Sequence, residues 1–263
     1  MAGNSDFILV QERGWRRGLG NLLDNEFSHW WKTRMWWIQC LIWGGITGAM
    51  LAGIIFGSGD VPMTDAVMIY CIFAGLFPAV GVVIIMQDAL VGEKQDGTAA
   101  WVLSKPVARP AFVLAKVIAN SLGVLVTMLA VPAVLAYTLL SFAAKAPLPP
   151  FAFLAALGVI FLSLFFYLTL TLMLGAFFGG RGPVIGIALA VVFLQQYAIG
   201  LLPPLRYVLP WTLVVPLNNQ KDALAPALIL GQPVSSYWPI LLIFLEALLF
   251  VAIAFRRFER EEL

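Results

Sequence analysis

The sequence predicts an all-α membrane protein with six transmembrane helices. Three observations carry that prediction. Hydrophobic residues make up 61% of the 263-residue chain and charged residues only 11%, whereas a soluble domain carries about 25% charged residues. Six apolar stretches are long enough to cross a bilayer, at roughly 20 residues for 30 Å of hydrocarbon. The basic residues concentrate in alternate loops.

The spans fall at about 36–57, 65–87, 115–141, 151–178, 183–202 and 238–255. Of the 16 basic residues, 13 belong to one set of loops and ends. Arg13, Arg16, Arg17, Lys32 and Arg34 precede the first span. Lys94, Lys105, Arg109 and Lys116 lie in the 88–117 segment. Arg181 lies in the turn at 179–182, and Arg256, Arg257 and Arg260 lie in the tail. The other three, Lys145, Arg206 and Lys221, lie in the alternate loops. An even number of spans puts both termini on one side, and the basic bias makes that side the cytoplasm. The expectation is one multi-pass domain over 1–263 in the inner (plasma) membrane. It has a 1–35 cytoplasmic or interfacial segment, an 88–117 cytoplasmic loop and a 203–237 segment on the far side.

Residues 21–37, NLLDNEFSHWWKTRMWW, read as one interfacial helix. Leu22, Leu23, Phe27, Trp30, Trp31 and Trp37 share a broad apolar side, and tryptophan settles at head-group depth. His29, the single histidine, is expected to be solvated there. The 203–237 stretch is apolar but broken by Pro203, Pro204, Pro210, Pro216, Pro226 and Pro233. Proline interrupts any continuous helix. Short helices capping the bundle or dipping into the outer leaflet are the natural reading, with a plain outer loop as the alternative.

Several chemistries are excluded. With one histidine there is no His-pair metal site, and the only base for a Ser/His pair precedes the first span. No catalytic residue and no metal ligand is assigned. Cys40 and Cys71 sit in apolar runs without CxxC spacing and read as small buried hydrophobes. No GxxxxGK[ST] sequence is present. GGRGP at 179–183 lacks the Lys and hydroxyl that hold phosphate and Mg²⁺, and it reads as a tight turn into a helix at Pro183. The chain therefore does not hydrolyse ATP by itself. The net charge of +2 gives no reason to expect nucleic acid.

Lys116 is assigned to the 88–117 loop, so the spans hold no His, Lys or Arg and one acid well inside, Glu246. A carboxylate there costs several kcal/mol unless paired, hydrated or protonated. It either contacts substrate or another helix, or it is a neutral acid bonded within its own bundle. Together with Gln195, Gln196 and Tyr197 it leaves a largely apolar path, which suits lipids, amphipathic solutes or a protected ion route.

The 88–117 loop is built in pieces. Gly92 and Gly97 are expected to break the helix after Gln87. Asp96 or Thr98 would cap a short helix over 98–104. Pro106 stops that helix by Lys105, and Pro110 opens the next one. Trp101, Val102 and Leu103 form the apolar surface of the short helix, with Lys105 and Arg109 flanking it. Such a piece can press on a cytoplasmic partner or rest on membrane lipid.

The run GEKQDGTAAWVLSKPVARPAFVLAKVIAN resembles the cytoplasmic loop of type-2 ABC transporter permeases. The matching positions are Glu93, Gly97, Thr98, Leu103, Ser104, Pro106, Val107, Arg109 and Lys116. Ala99 and Ala100 depart from the hydrophobic residue and the acid usual after the Thr. The six spans, the interfacial N-terminal helix and the broken segment before the last span also resemble that family. The resemblance implies a non-enzymatic permease subunit working with separate ATPase subunits, which would hold the ATP and Mg²⁺, and with a second copy or a related permease. It implies that the 98–104 helix is the coupling helix, with Glu93, Gly97, Thr98, Trp101, Leu103, Ser104, Pro106 and Arg109 as coupling residues. It implies export by alternating access. An ATP-independent transporter or channel, or a non-transporting assembly factor, are the alternatives.

Overall fold

The computed structural model describes residues 14–57, 61–217, 223–234 and 236–260; Arg13 and Lys221 lie outside them. The described residues form helices and no strand. The order is α1 (Leu19–Trp31), α2 (Met35–Gly57), α3 (Met63–Gln95), α4 (Thr98–Leu103), α5 (Arg109–Val124), α6 (Val131–Ala143), α7 (Pro150–Phe177), α8 (Arg181–Leu201), α9 (Trp211–Val214), α10 (Leu224–Ile229) and α11 (Trp238–Glu259). A π-helical stretch, Leu125–Ala130, joins α5 to α6 as one continuous helix. Six helices are long and apolar enough to cross a membrane: α2, α3, the α5–α6 helix, α7, α8 and α11. This is the all-α, six-span membrane protein that the sequence predicts.

The core forms around α7. Its Leu164, Leu168, Leu172 and Ala176 are fully buried. Helices α3 and α11 lie along it. Helices α2, α8 and α11 turn large apolar side chains outward, among them Leu41, Leu194 and Leu249, each more than half exposed. In water such faces would be a liability, and in lipid they are the solvent-facing side. Small residues set the close approaches. A Cβ on Gly81 of α3 would run into the Trp43 ring of α2.

The structure changes two details and decides a third. First, α3 does not stop near Gln87. It continues through a buried Gly92 to Gln95. One glycine costs a helix only about 1 kcal/mol, and the helix-favouring Glu93, Lys94 and Gln95 follow it. The break comes at Gly97, with φ of 70°. At 33 residues, α3 is about 50 Å long and outruns a hydrocarbon core of roughly 30 Å. Its last turns therefore stand clear of the apolar layer.

Second, 21–37 is not one helix. The Thr33 hydroxyl donates to His29 O at 2.6 Å and accepts from the Met35 N–H at 3.2 Å. It ends α1 and starts α2, so Trp37 belongs to the first span. Trp30 leaves the membrane-facing side altogether and is 1% exposed within the protein. His29 is exposed, as expected.

Third, the proline-broken segment packs as a cap. Leu213, Leu224, Ala225 and Ile229 are buried against the ends of α3 and α7. Irregular backbone at this depth is tolerated where protein covers it.

Candidate functional site

Helix α4 is six residues long and stands on the end of α3. Neither Asp96 nor Thr98 caps it by its side chain; the N-cap is Gly97, whose left-handed backbone makes the turn. Asp96 instead closes the end of α3. The Thr98 hydroxyl donates back to Glu93 O at 3.2 Å, and Ser104 Oγ donates to Trp101 O at 2.7 Å. With its hydroxyl bonded to an α3 carbonyl, Thr98 offers no oxygen to the start of α4, and Asp96 is taken up at the end of α3.

The helix has two sides. Ala99 is buried, and Val102 and Leu103 pack toward the core. Only Trp101 of the expected apolar trio faces out, at 63% exposure. The Lys105 ammonium lies 3.5 Å from its ring centroid, a cation–π contact worth about 0.5–1 kcal/mol at an exposed site. Thr98, Trp101, Ser104, Lys105 and Pro106 make up the exposed side. Glu93, Leu103 and Arg109 do not join it, since they turn into the molecule.

Those inward groups fasten α4 to the rest of the bundle. Lys116 is the centre of this arrangement. It lies about two turns inside α5, not in a loop, and is 2% exposed. Its ammonium donates to Glu26 Oε1 of α1 at 2.8 Å and to Glu93 Oε1 of α3 at 2.5 Å. One turn on, Asn120 accepts from the Trp30 indole N–H at 3.0 Å and donates to Lys116 O. Gly123 leaves room for that indole; a Cβ there would run into the ring. Thus α1 is seated by an ion pair, a hydrogen bond and a notch, all on one face of α5.

Other groups complete the frame. Lys94 Nζ donates to Gly175 O and Ala176 O at the end of α7, and Gln95 Nε2 donates to Gly179 O. Asp88 pairs with Arg181 of α8 at 2.6 Å. Arg109 Nη1 donates to Phe258 O and Glu259 O, capping α11. The Ala108 N–H donates to Arg17 O at 3.0 Å, and the side chain of Val107 lies on Gly18, whose φ is 81°. The chain on either side of α4 is thus tied to α1, α7, α8 and α11 by short polar contacts.

The expected path residues do not come together. Gln195 is buried, donating to Tyr167 Oη at 2.7 Å and to Val192 O. Gln196 is exposed and lines a cavity of about 790 Å³ with Tyr197 and Arg206 at the far end of α8. Glu246 is half-buried on α11, between exposed Leu245 and buried Ala247.

The Lys116 cluster was hidden in the sequence because a lysine beside Phe112, Val113 and Val117 reads as the edge of a span. Its signal was the i, i+4 pair Lys116/Asn120, a buried-polar stripe on one helix face.

A family model described as ABC-2 family transporter protein matches residues 18–263. The chain belongs to the ABC-2 transporter family. No curated protein matches it. The ABC-2 match covers every span, α1 and α4, so the frame just described lies within the family region. As an ABC-2 protein the chain is a multi-pass membrane permease of an ABC transporter.

Proposed function

We propose that this permease is the membrane half of an exporter whose power comes from separate ATPase subunits, and that α4 is the part the ATPase grips. The observation that carries this reading is the exposed Trp101, covered by the Lys105 ammonium on a short helix between α3 and α5. Tryptophan is among the residues that most often anchor protein interfaces. The basic residues at the α4 end support a cytoplasmic placement of that end and of both termini, in the inner membrane. A second permease, identical or related, completes the pathway, and ATP and Mg²⁺ are held by the ATPase pair.

In this mechanism, ATP closes the ATPase pair and carries the two α4 helices with it. The frame passes that displacement to α1, α7 and α11. Only an ATPase that binds the inward and outward states differently can shift their balance. A swing from 1:99 to 99:1 needs about 5.5 kcal/mol of differential binding.

The test is co-purification. The permease is expressed with a candidate ATP-binding-cassette ATPase from the same genome, as wild type and as Trp101→Ala. The substitution is expected to lower ATPase recovery at least tenfold, as loss of about 2 kcal/mol at a hot spot would. Recovery and ATP-driven transport both at wild-type levels would remove α4 from the coupling role.

A further inference from the structure

Helix α1 stands upright along α5. Gly18 meets the Val107 side chain just ahead of α5, Glu26 pairs with Lys116, and Trp30 meets Asn120 and Gly123. The two helices thus run side by side in the same direction, toward the membrane. The far end of α1 adjoins Trp31, Trp36 and Trp37, each about 40% exposed, which marks head-group depth. With 13 residues, α1 lifts its first residue about 20 Å from that level. A head-group layer is only about 5–8 Å deep on each side. The start of α1 therefore stands beyond the lipid.

Trp15 lies at that raised end, in a 3₁₀ turn over Gly14–Arg16. Its indole is 52% exposed, and the Arg16 guanidinium lies 4.9 Å from the ring centroid. Trp101 of α4, with Lys105 on its ring, repeats this arrangement. The two segments meet where the Ala108 N–H donates to Arg17 O and Val107 lies on Gly18. Residues 14–18 and 98–107 carry Arg16, Arg17 and Lys105 and no acid. None of these three cations pairs with a carboxylate among the described residues. Exposed apolar surface rimmed by charge marks a protein contact, and the unneutralised cations ask for an acidic one.

We infer that Trp15, with Arg16 and Arg17, is a second anchor for the ATPase that takes α4, and that this ATPase meets it with an acidic face. Trp and Arg are the residue types most enriched at interface hot spots, and uncompensated basic side chains steer an acidic partner into register. The family match begins at residue 18, so the turn lies ahead of the region that it covers, whereas α4 lies within it. The inference rests on the coupling role proposed above for α4 and extends that surface to the N-terminal segment.

The experiment measures ATPase binding to the full-length permease in phosphatidylcholine nanodiscs by biolayer interferometry. ATP-binding-cassette ATPases from the same genome are screened, and the one retained by the wild type is used throughout. Trp15→Ala is expected to raise Kd about tenfold. Arg16→Gln with Arg17→Gln should slow association several-fold at low salt and flatten its salt dependence. All three side chains are exposed, so thermal unfolding should match the wild type. A Kd within twofold of wild type in both variants would overturn the inference. So would a loss that appears only in nanodiscs containing phosphatidylglycerol, which would assign the turn to anionic lipid. Trp101→Ala, run in parallel, separates the two readings. If it loses the ATPase while Trp15→Ala keeps it, this inference falls alone; the reverse pattern removes α4 alone. If the wild type retains no ATPase, both fall.

Discussion

Lys116 Nζ lies 2.5 Å from Glu93 Oε1, although the two residues sit on different helices on either side of α4. The pair closes the 94–115 segment into a loop whose ends cannot separate without exposing a buried charge. The position of α4 is therefore set by electrostatics at its root as well as by the turn at Gly97.

Removing the ammonium leaves Glu26 and Glu93 facing each other with no cation between them. Lys116→Met should lower the unfolding free energy by about 3–5 kcal/mol, the usual effect of breaking a buried pair from one side. Adding Glu26→Gln and Glu93→Gln should recover most of it, because the repulsion goes with the charges. Denaturant titration in detergent micelles measures both, and a single variant within about 0.5 kcal/mol of wild type would contradict the burial of the cluster.

Gly123→Val fills the notch under Trp30. The expected effect is a loss of about 1–3 kcal/mol from overpacking, with α1 lifted from α5. Tryptophan emission should move to longer wavelength as the indole meets water. The same substitution in a Trp30→Phe background should show no such shift.

Gly97 has a φ of 70° and no neighbouring atom within reach of a Cβ, so its substitution tests backbone alone. Gly97→Ala should destabilise the α3–α4 turn by about 1–2 kcal/mol, and Gly97→Asn by less, since Asn tolerates the left-handed region. Amide exchange over 98–104 reports the difference; identical exchange in the two variants would argue against the turn described here.

Arg109 closes the end of α11 through two carbonyls. Arg109→Ala should weaken the last turn by about 1.5–3 kcal/mol, as expected for hydrogen bonds from a charged donor. Faster amide exchange at 256–260, with the middle of α11 unchanged, is the outcome that supports it.

The fold was almost fully legible in the sequence, since span length and charge asymmetry depend only on local composition. Proline positions also located α4 and the cap between α8 and α11. Three features were not legible, each for a physical reason. Gly92 looks like a helix stop because a glycine's tolerance depends on what surrounds it, here the side chain of Asp88 against its Cα. Trp30 looks like a lipid anchor because the notch that takes it, Gly123, is 93 residues away. Lys116 looks like a topology signal because its two acids come from different helices. The division of the 98–104 residues into an outer and an inner side was equally hidden. Seven residues give less than two full turns, about 3.6 residues each, too few for a period to show.

The π stretch at Leu125–Ala130 divides the third span into halves with different allegiances. The α5 half is fastened to α1 and α11, while the α6 half packs against α2. Thr127 spends its hydroxyl on Gly123 O, and Pro132 brings no N–H to the turn that follows. Wide turns and missing donors make a helix cheapest to bend at that point. The third span is thus a jointed rod. Its near segment is tied to the end of the molecule that carries α4 and its far segment to the first span, and the seam between them is where the two can turn relative to one another.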